Sequence, residues 1–258
     1  MSAAMMTLDL SAPHQVYKNK LGVTLPGVTT VLGTLNKEAI PPWYAQMERE
    51  GILTFMGGMS WTAAELRDLL PKTKDGTKPA WFAVQKRDKA ADLGTITHGR
   101  IEAWLHDTVL DPAGLPADLY AQSDLGLNRF IQYWHERGLR AEQTELQMVS
   151  ELLQVGGTGD IFARTAGGVL VYADLKTTKA STYWPYDESI AQVSVYADMY
   201  EEVHGEHVET VTLVRVGKEV DDALQTYTLG GKEREAGGQL FRAALDAYNA
   251  KKALKRKK

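Results

Sequence analysis

Asp160, Asp174 and Lys176 are the residues whose types and spacing are best suited to chemistry. Asp160 closes the run Gly156-Gly157-Thr158-Gly159-Asp160, and the other two lie in Asp174-Leu175-Lys176-Thr177-Thr178. Both runs are β-rich, and Thr165-Ala166-Gly167-Gly168 between them is a hairpin signal. Residues two apart on a strand share a face, so Asp174 and Lys176 point the same way. A turn centred on Gly167 sets Asp160 directly opposite Asp174, with Cβ atoms roughly 5 Å apart. Two carboxylates at that separation repel unless a cation sits between them. Hard divalent ions take oxygen ligands, and Mg²⁺ is commonly held by one or two carboxylates together with a phosphate. Lys176 is placed to orient a water or to offset charge on a phosphate oxygen. The competing reading is an exposed hairpin face with an Asp/Lys surface pair. The glycines beside Thr158 weigh against it, because they let a backbone or ligand approach closely, although glycines also make plain turns.

Two further groups converge on this hairpin. Gln192 and Tyr196 are spaced i, i+4 on the following helix and share a face with Ser189. A glutamine and a tyrosine so placed can hydrogen-bond a phosphate or a lysine, whereas a tyrosine alone is more often part of a core. Upstream, Gly94-Thr95-Ile96-Thr97-His98-Gly99-Arg100-Ile101-Glu102 sets His98 and Glu102 one helical turn apart. His98 is a candidate neutral imidazole ligand, against the commoner structural role of a lone helical histidine.

The elements that must position these groups follow from periodicity and breakers. Tyr17 to Leu35 mixes β-branched residues with Gly22, Pro26 and Gly27, which predicts a short hairpin or extended segment. Thr62-Ala63-Ala64-Glu65 has capping-box spacing for a short helix closed by Pro71, and Lys72 to Lys78 is a polar loop. Trp81 to His106 and Leu119 to Arg137 read as helices separated by the Pro112 to Pro116 break, the second ended by Gly138. Strands are predicted at Glu142–Val149, Gln154–Arg164, Gly168–Thr177, Val208–Val216 and Ala223–Leu229, with helices at Ser189–Val203 and Lys232–Leu254. The expected fold class is α/β, a central mixed sheet flanked by helices with a helical N-terminal region. We expect a single domain over 1–258, with a mainly helical part at 1–140. The β-rich catalytic core at 141–258 carries the C-terminal helix and basic tail.

Composition narrows the chemistry. The 258 residues include no cysteine, which excludes disulfides, thiolate zinc sites, cysteine-ligated iron–sulfur clusters and a cysteine nucleophile. No apolar run approaches the roughly 18 residues of a membrane span. Met1 to Ser11 lacks a basic n-region and does not read as a signal peptide, so the expected location is the cytoplasm. The net charge of −4 hides an asymmetry, since Lys251 to Lys258 hold six basic groups and no acid. Without them the chain has 23 basic against 33 acidic residues. An acidic body with a basic tail is not the usual footprint of a tight nucleic-acid binder, but metal ions can offset acids at a local site. The tail itself reads equally as a solvated helix end or a phosphate-binding segment.

Four pieces in order, Gly94-Thr95-Ile96-Thr97-His98, Gly157-Thr158-Gly159-Asp160, Asp174-Leu175-Lys176-Thr177 and Gln192-Val193-Ser194-Val195-Tyr196, resemble the PD-(D/E)XK nuclease superfamily. Within it they are similar to the RecB-like branch of phage and mitochondrial-type exonucleases. Pro26-Gly27-Val28-Thr29-Thr30-Val31-Leu32 also resembles the N-terminal segment of phage and mitochondrial members. The resemblance implies a restriction-endonuclease-like core. It implies that Asp160, Asp174, the Leu175 carbonyl and His98 ligate one or two Mg²⁺ or Mn²⁺ ions. Lys176 would position the attacking water. Gln192, Tyr196 and Thr177 would order the site or contact DNA, and Glu102 and Glu145 would lend outer support. Members with an iron–sulfur cluster use four cysteines, so no cluster is expected here. No Gly-x-x-x-x-Gly-Lys-Ser/Thr motif occurs, so any helicase motor would be a separate chain.

The function so implied is metal-dependent DNA exonuclease activity in phage or bacterial recombination, repair or replication. Single strands or duplex ends would be the substrate. A separate recombinase, single-strand annealing protein or helicase would be the partner, with no role for a membrane. A structure-specific endonuclease on the same core and an inactive DNA-binding accessory module are the alternatives. A hydrolase of small phosphorylated molecules is disfavoured, because the Gly156 to Gly159 run leads into a strand rather than opening a helix. Trp61, Trp81 and Trp104 are candidates both for stacking on bases and for ordinary core packing.

Overall fold

A five-stranded mixed sheet carries the chemistry-bearing residues. Its strands are β5 (Arg140–Ser150), β6 (Val155–Arg164), β7 (Leu170–Thr177), β8 (Thr210–Val216) and β9 (Gln225–Thr228), ordered β5-β6-β7-β8-β9. Only the β7–β8 pair is parallel, and its crossover is the helix α5 (Asp187–His204). The computed structural model describes residues 4–12, 15–35, 40–56, 62, 65, 82–178, 185–218 and 222–254. The remaining elements are β1 (Met5–Met6), β2 (Tyr17–Lys18), β3 (Thr24–Leu25), α1 (Val28–Leu32), α2 (Ile40–Met56), α3 (Phe82–Leu105), β4 (Val109–Leu110), α4 (Ala117–Arg137) and α6 (Gly231–Leu254). No helix among the described residues is long and apolar enough to cross a membrane. The chain divides into two units, residues 1–35 with 96–258, and residues 36–95.

Both faces of the sheet are covered, which is the expected α/β architecture. On one face Met148, Val155, Phe162, Tyr172 and Leu213 pack with α1, α5 and α6. On the other, Ile161, Ala173, Leu175 and Val214 meet Ile101 of α3 and Phe130 and Trp134 of α4. Helix α4 stops where expected, because Gly138 takes a left-handed φ of 57° and returns its N–H to Trp134 and His135. The β6–β7 turn also follows the expected register, with Ile161 opposite Ala173 and Phe162 opposite Tyr172.

The region before α2 differs in part from expectation. Tyr17 pairs with Leu25 in a hairpin, as read, but Val28 to Leu32 is a helical turn. Its β-branched residues favour extended backbone, yet Val28, Val31 and Leu32 are all buried, and that burial overrides local preference. The two-residue parallel pair of β1 with β4 was not foreseen. Trp104 packs edge-on against Phe130 and His135, so it is a packing residue.

In the smaller unit α2 lies against the start of α3. A Cβ on Gly51 would fall 2.2 Å from the Phe82 ring, and Glu48 Oε1 accepts the Ala83 N–H at 2.7 Å. Thr62 and Glu65 form the expected reciprocal cap, with Thr62 N and Oγ1 donating to Glu65 Oε2 and Glu65 N donating to Thr62 Oγ1. Pro71, the loop at 72–78, Trp61, Trp81 and the tail at 255–258 lie outside the described residues.

Candidate active site

Strands β5, β6 and β7 bring a row of acids to one place. Pairing of Thr144 with Ile161 and of Leu146 with Gly159 sets Glu145 beside Asp160. Beyond Ile161 the β6–β7 ladder gives way to a side-chain bond, in which Asp160 Oδ2 accepts the Leu175 N–H at 2.7 Å. From α3, His98 reaches the same point, with Nδ1 3.9 Å from Asp160 Oδ2. Ligand atoms of His98, Glu145 and Asp160 all lie within 4.8 Å of one another. Solvent reaches the group, since the side chains of Asp160, Lys176 and His98 keep 16, 22 and 26% of their surface.

Asp174 stands next to this cluster, fully buried. Tyr172 donates its hydroxyl to Oδ1 at 3.2 Å. Lys176 Nζ meets Oδ2 at 2.5 Å as a close ion pair. Lys176 also donates to Gln192 Oε1 at 3.1 Å. Asp174 therefore faces Lys176 rather than sharing its carboxylate directly with His98, Glu145 and Asp160.

Electrostatics follow from enclosure. Burial pushes the Asp174 carboxyl up to about 6, Lys176 opposes the shift, and Asp160 adds to it. Asp160 is raised by burial despite Lys176 and the Leu175 N–H, which both pull it down. Burial works against the Lys176 ammonium, but Asp174 and Asp160 outweigh it and hold its proton more tightly than usual. His98 falls to about 4 through burial and the charge of Lys176, so its imidazole is neutral. The nearby Asp174 charge and the Leu175 backbone pull the other way and do not offset this. Glu145 faces solvent yet is crowded by protein. That crowding and the charges of Asp160, Glu102 and Asp174 raise its carboxyl.

These groups fit a hard divalent ion. A neutral imidazole and carboxylates are donor types such ions take, and His98, Glu145 and Asp160 bring one imidazole and two carboxylates together. Neighbouring like charges add to these shifts, Asp160 at Asp174 and Glu102 at Asp160.

The surrounding residues are ordered by two glycines. A Cβ on Gly157 would fall 2.3 Å from the Tyr196 ring of α5, and one on Gly156 would fall 2.1 Å from the Tyr17 ring of β2. β6 is thus sandwiched between two tyrosines, each lying on a glycine. The sequence reading took these glycines as room for a ligand or a turn, and the occupants are aromatic rings. The Tyr196 phenol is held protonated by burial and by Asp174 and Asp160, against the opposing pull of Gln192. Thr177 Oγ1 is buried without a hydrogen-bond partner. Glu102 stands one layer out, accepting from Thr144 Oγ1 at 3.4 Å.

Glu145 is more central than the sequence reading had it. Its φ of 44° is a left-handed conformation rare for a glutamate. That kink turns the strand over. Thr144 bonds His106 and Glu102 on the α3 side, whereas Leu146 packs on the α5 side. β6 does the same, with Ile161 in the α3–α4 cluster and Gly159 facing Met148 and Phe162. Nothing in residue type announces this reversal.

No family model matches the chain, and no curated protein matches it. Among solved structures it is similar to a candidate exonuclease from Eubacterium rectale, with a TM-score of 0.44 and 14% identity over 74% of this chain and 88% of the other. It is also similar to an alkaline exonuclease from Laribacter hongkongensis, with a TM-score of 0.32 and 15% identity over 64% and 91% of the two chains. For the latter in complex with dAMP, the TM-score is 0.30 and the identity 17%, over 65% and 91%.

Proposed function

We propose that the chain is a divalent-metal-dependent DNA exonuclease on a restriction-endonuclease-like core. The observation that carries this reading is a lysine tied to Asp174 and Gln192 beside a His–Glu–Asp donor cluster. His98, Glu145 and Asp160 would hold an ion, and Asp174 and the Leu175 carbonyl are the further ligands that the family resemblance implies. When bound, such an ion supplies Lewis acidity to a phosphate oxygen and acidifies water.

The chain's own residues do the rest. Lys176 is tied to Asp174 and Gln192, and an ammonium has three donors, so one proton remains for a water or a phosphate oxygen. The pairing with Asp174 keeps Lys176 charged, and a fixed cation stabilises charge as it develops on phosphate. Water attacks phosphorus, the bond to the leaving oxygen breaks, and no covalent enzyme intermediate forms. Gln192 and Tyr196 hold Lys176 in position, and Thr177, the next residue on β7, would order the site from the other face of the strand. Phage or bacterial recombination, repair or replication would supply linear DNA ends. The partner in that setting would be a separate recombinase, annealing protein or helicase.

The test is degradation of end-labelled linear and of circular DNA, single- and double-stranded, with Mg²⁺, Mn²⁺ or EDTA, beside Lys176→Ala. Loss of linear DNA alone, dependent on metal and abolished in the variant, is the expected result. Cutting of circles would replace exonuclease by endonuclease, and DNA binding without hydrolysis would leave an accessory module.

A further inference from the structure

Tyr17 lies 141 residues from Thr158, yet the fold sets it beside the candidate site. Its hydroxyl and that of Thr158 are 2.9 Å apart. Its ring rests on Gly156, where any Cβ would collide, and comes within 3.6 Å of a Cβ built on Gly27. The seat is fixed at both ends, because Gly156 N donates to Pro26 O at 3.0 Å and Gly27 bridges Gly156. Thr158 and Asp160 are two apart on β6. Gly157 and Gly159 between and beside them both face the α5 side, so Thr158 and Asp160 share the other face. Two residues of strand are about 6.6 Å, a step comparable to the spacing of neighbouring phosphates in an extended strand. Opposite Thr158 on β5, Gln147 Oε1 accepts from Gln15 Nε2 at 3.0 Å. Next to the acids there is thus a row of neutral donors, both hydroxyls half-buried and anchored rather than free in solvent. Neutral donors suit an anion here, because the adjoining carboxylates would pair with any added cation.

We propose that the Tyr17 and Thr158 hydroxyls bind the phosphate adjoining the scissile one, making the N-terminal hairpin part of the track for the substrate strand. This rests on the nuclease reading above. Tyr17 and Thr158 are positioning residues, and neither takes part in bond cleavage. They set the shortest strand the protein accepts and hold its end in register with Lys176.

The test uses full-length protein and single-stranded oligonucleotides in which one linkage, on either side of the cleaved one, is an uncharged methylphosphonate. Tyr17→Phe keeps the ring on Gly156, and Thr158→Val keeps the side-chain shape. Each should raise KM by about tenfold with little change in kcat, the loss expected for one hydrogen bond to a charged group. Thr158→Ser should recover the wild-type KM. Wild type should lose affinity for one of the two methylphosphonate substrates, and Tyr17→Phe should show no additional loss on that substrate. A merely structural role predicts equal effects on every substrate. Hydrolysis by wild type with Tyr17→Phe unchanged in KM and in methylphosphonate response would overturn this contact and leave the nuclease reading intact. No hydrolysis by wild type with either metal would overturn both.

Discussion

Replacing Asp174 by asparagine should stabilise the metal-free protein while removing its activity. Asp174 is fully buried, and its carboxyl is pushed from 3.8 up to about 6. At 1.36 kcal/mol per pKa unit, holding it ionised costs the fold about 3 kcal/mol. A folded-state pKa above the unfolded value gives stability that is present below pH ~4 and lost as pH rises through ~6. Asparagine keeps an oxygen to accept the Tyr172 hydroxyl, and Lys176 keeps the charge of Asp160 nearby. At pH 8 in EDTA the variant should therefore melt higher, by about 2–4 °C for each kcal/mol gained. The advantage should shrink between pH 6.5 and 4.5, because wild type then binds the proton itself. Added Mg²⁺ should raise the melting temperature of wild type more than that of the variant, since binding to the native state is added stability. Scanning calorimetry at pH 8 and pH 5, with and without Mg²⁺, measures all of this. A variant less stable than wild type at pH 8, or one whose advantage is the same at pH 5, would refute the argument that burial dominates at this carboxylate.

Further outcomes follow from the same geometry. Lys176→Ala should lower kcat by about 10²–10³ or more yet keep the thermal shift on adding Mg²⁺, which separates catalysis from ion binding. Mg²⁺ affinity, followed by calorimetric titration, should fall as pH drops through about 8 and fall again through about 6, because the Glu145 and then the Asp174 carboxyl take up a proton that the ion must displace. Gly157→Ala drives a methyl into the Tyr196 ring and should destabilise by about 1–3 kcal/mol in urea unfolding. Arg215 is buried and donates to the Thr178 and Ala223 carbonyls, so Arg215→Ala should cost about 2–4 kcal/mol by the same assay.

What the sequence made legible was local. A glycine-centred turn and a period of two set the β6–β7 register, so the near approach of Asp160 to β7 could be read from numbers alone. The i, i+4 rule brought Gln192 and Tyr196 to one helical face, and the structure bonds Gln192 to Lys176. What was not legible depended on distant chain or unusual backbone. The Tyr17–Thr158 contact spans 141 residues, and no periodicity links them. The prominence of Glu145 comes from a positive φ that glutamate does not advertise. Gly156 and Gly157 were visible as glycines, but the rings that require them lie on β2 and α5. The turn of α1 went unseen because its β-branched residues answer to burial rather than propensity.

The reversal at Glu145 also fixes how β5 and β6 can pair. An ordinary hairpin can slide by two residues and keep every side chain on its proper face. Here both strands change phase at positions that stand side by side, and β5 carries a further register shift between Ala141 and Gln143. Sliding β5 against β6 in either direction would separate the two phase changes and expose apolar residues over the length of the shift. Only the native alignment buries both Ile161 on one face and Met148 on the other. The kink works as a vernier mark, and the donor cluster of Glu145 and Asp160 sits on the mark itself. Misregistered chains thus lose core and site together, and any chain that has completed its sheet has these two acids in place.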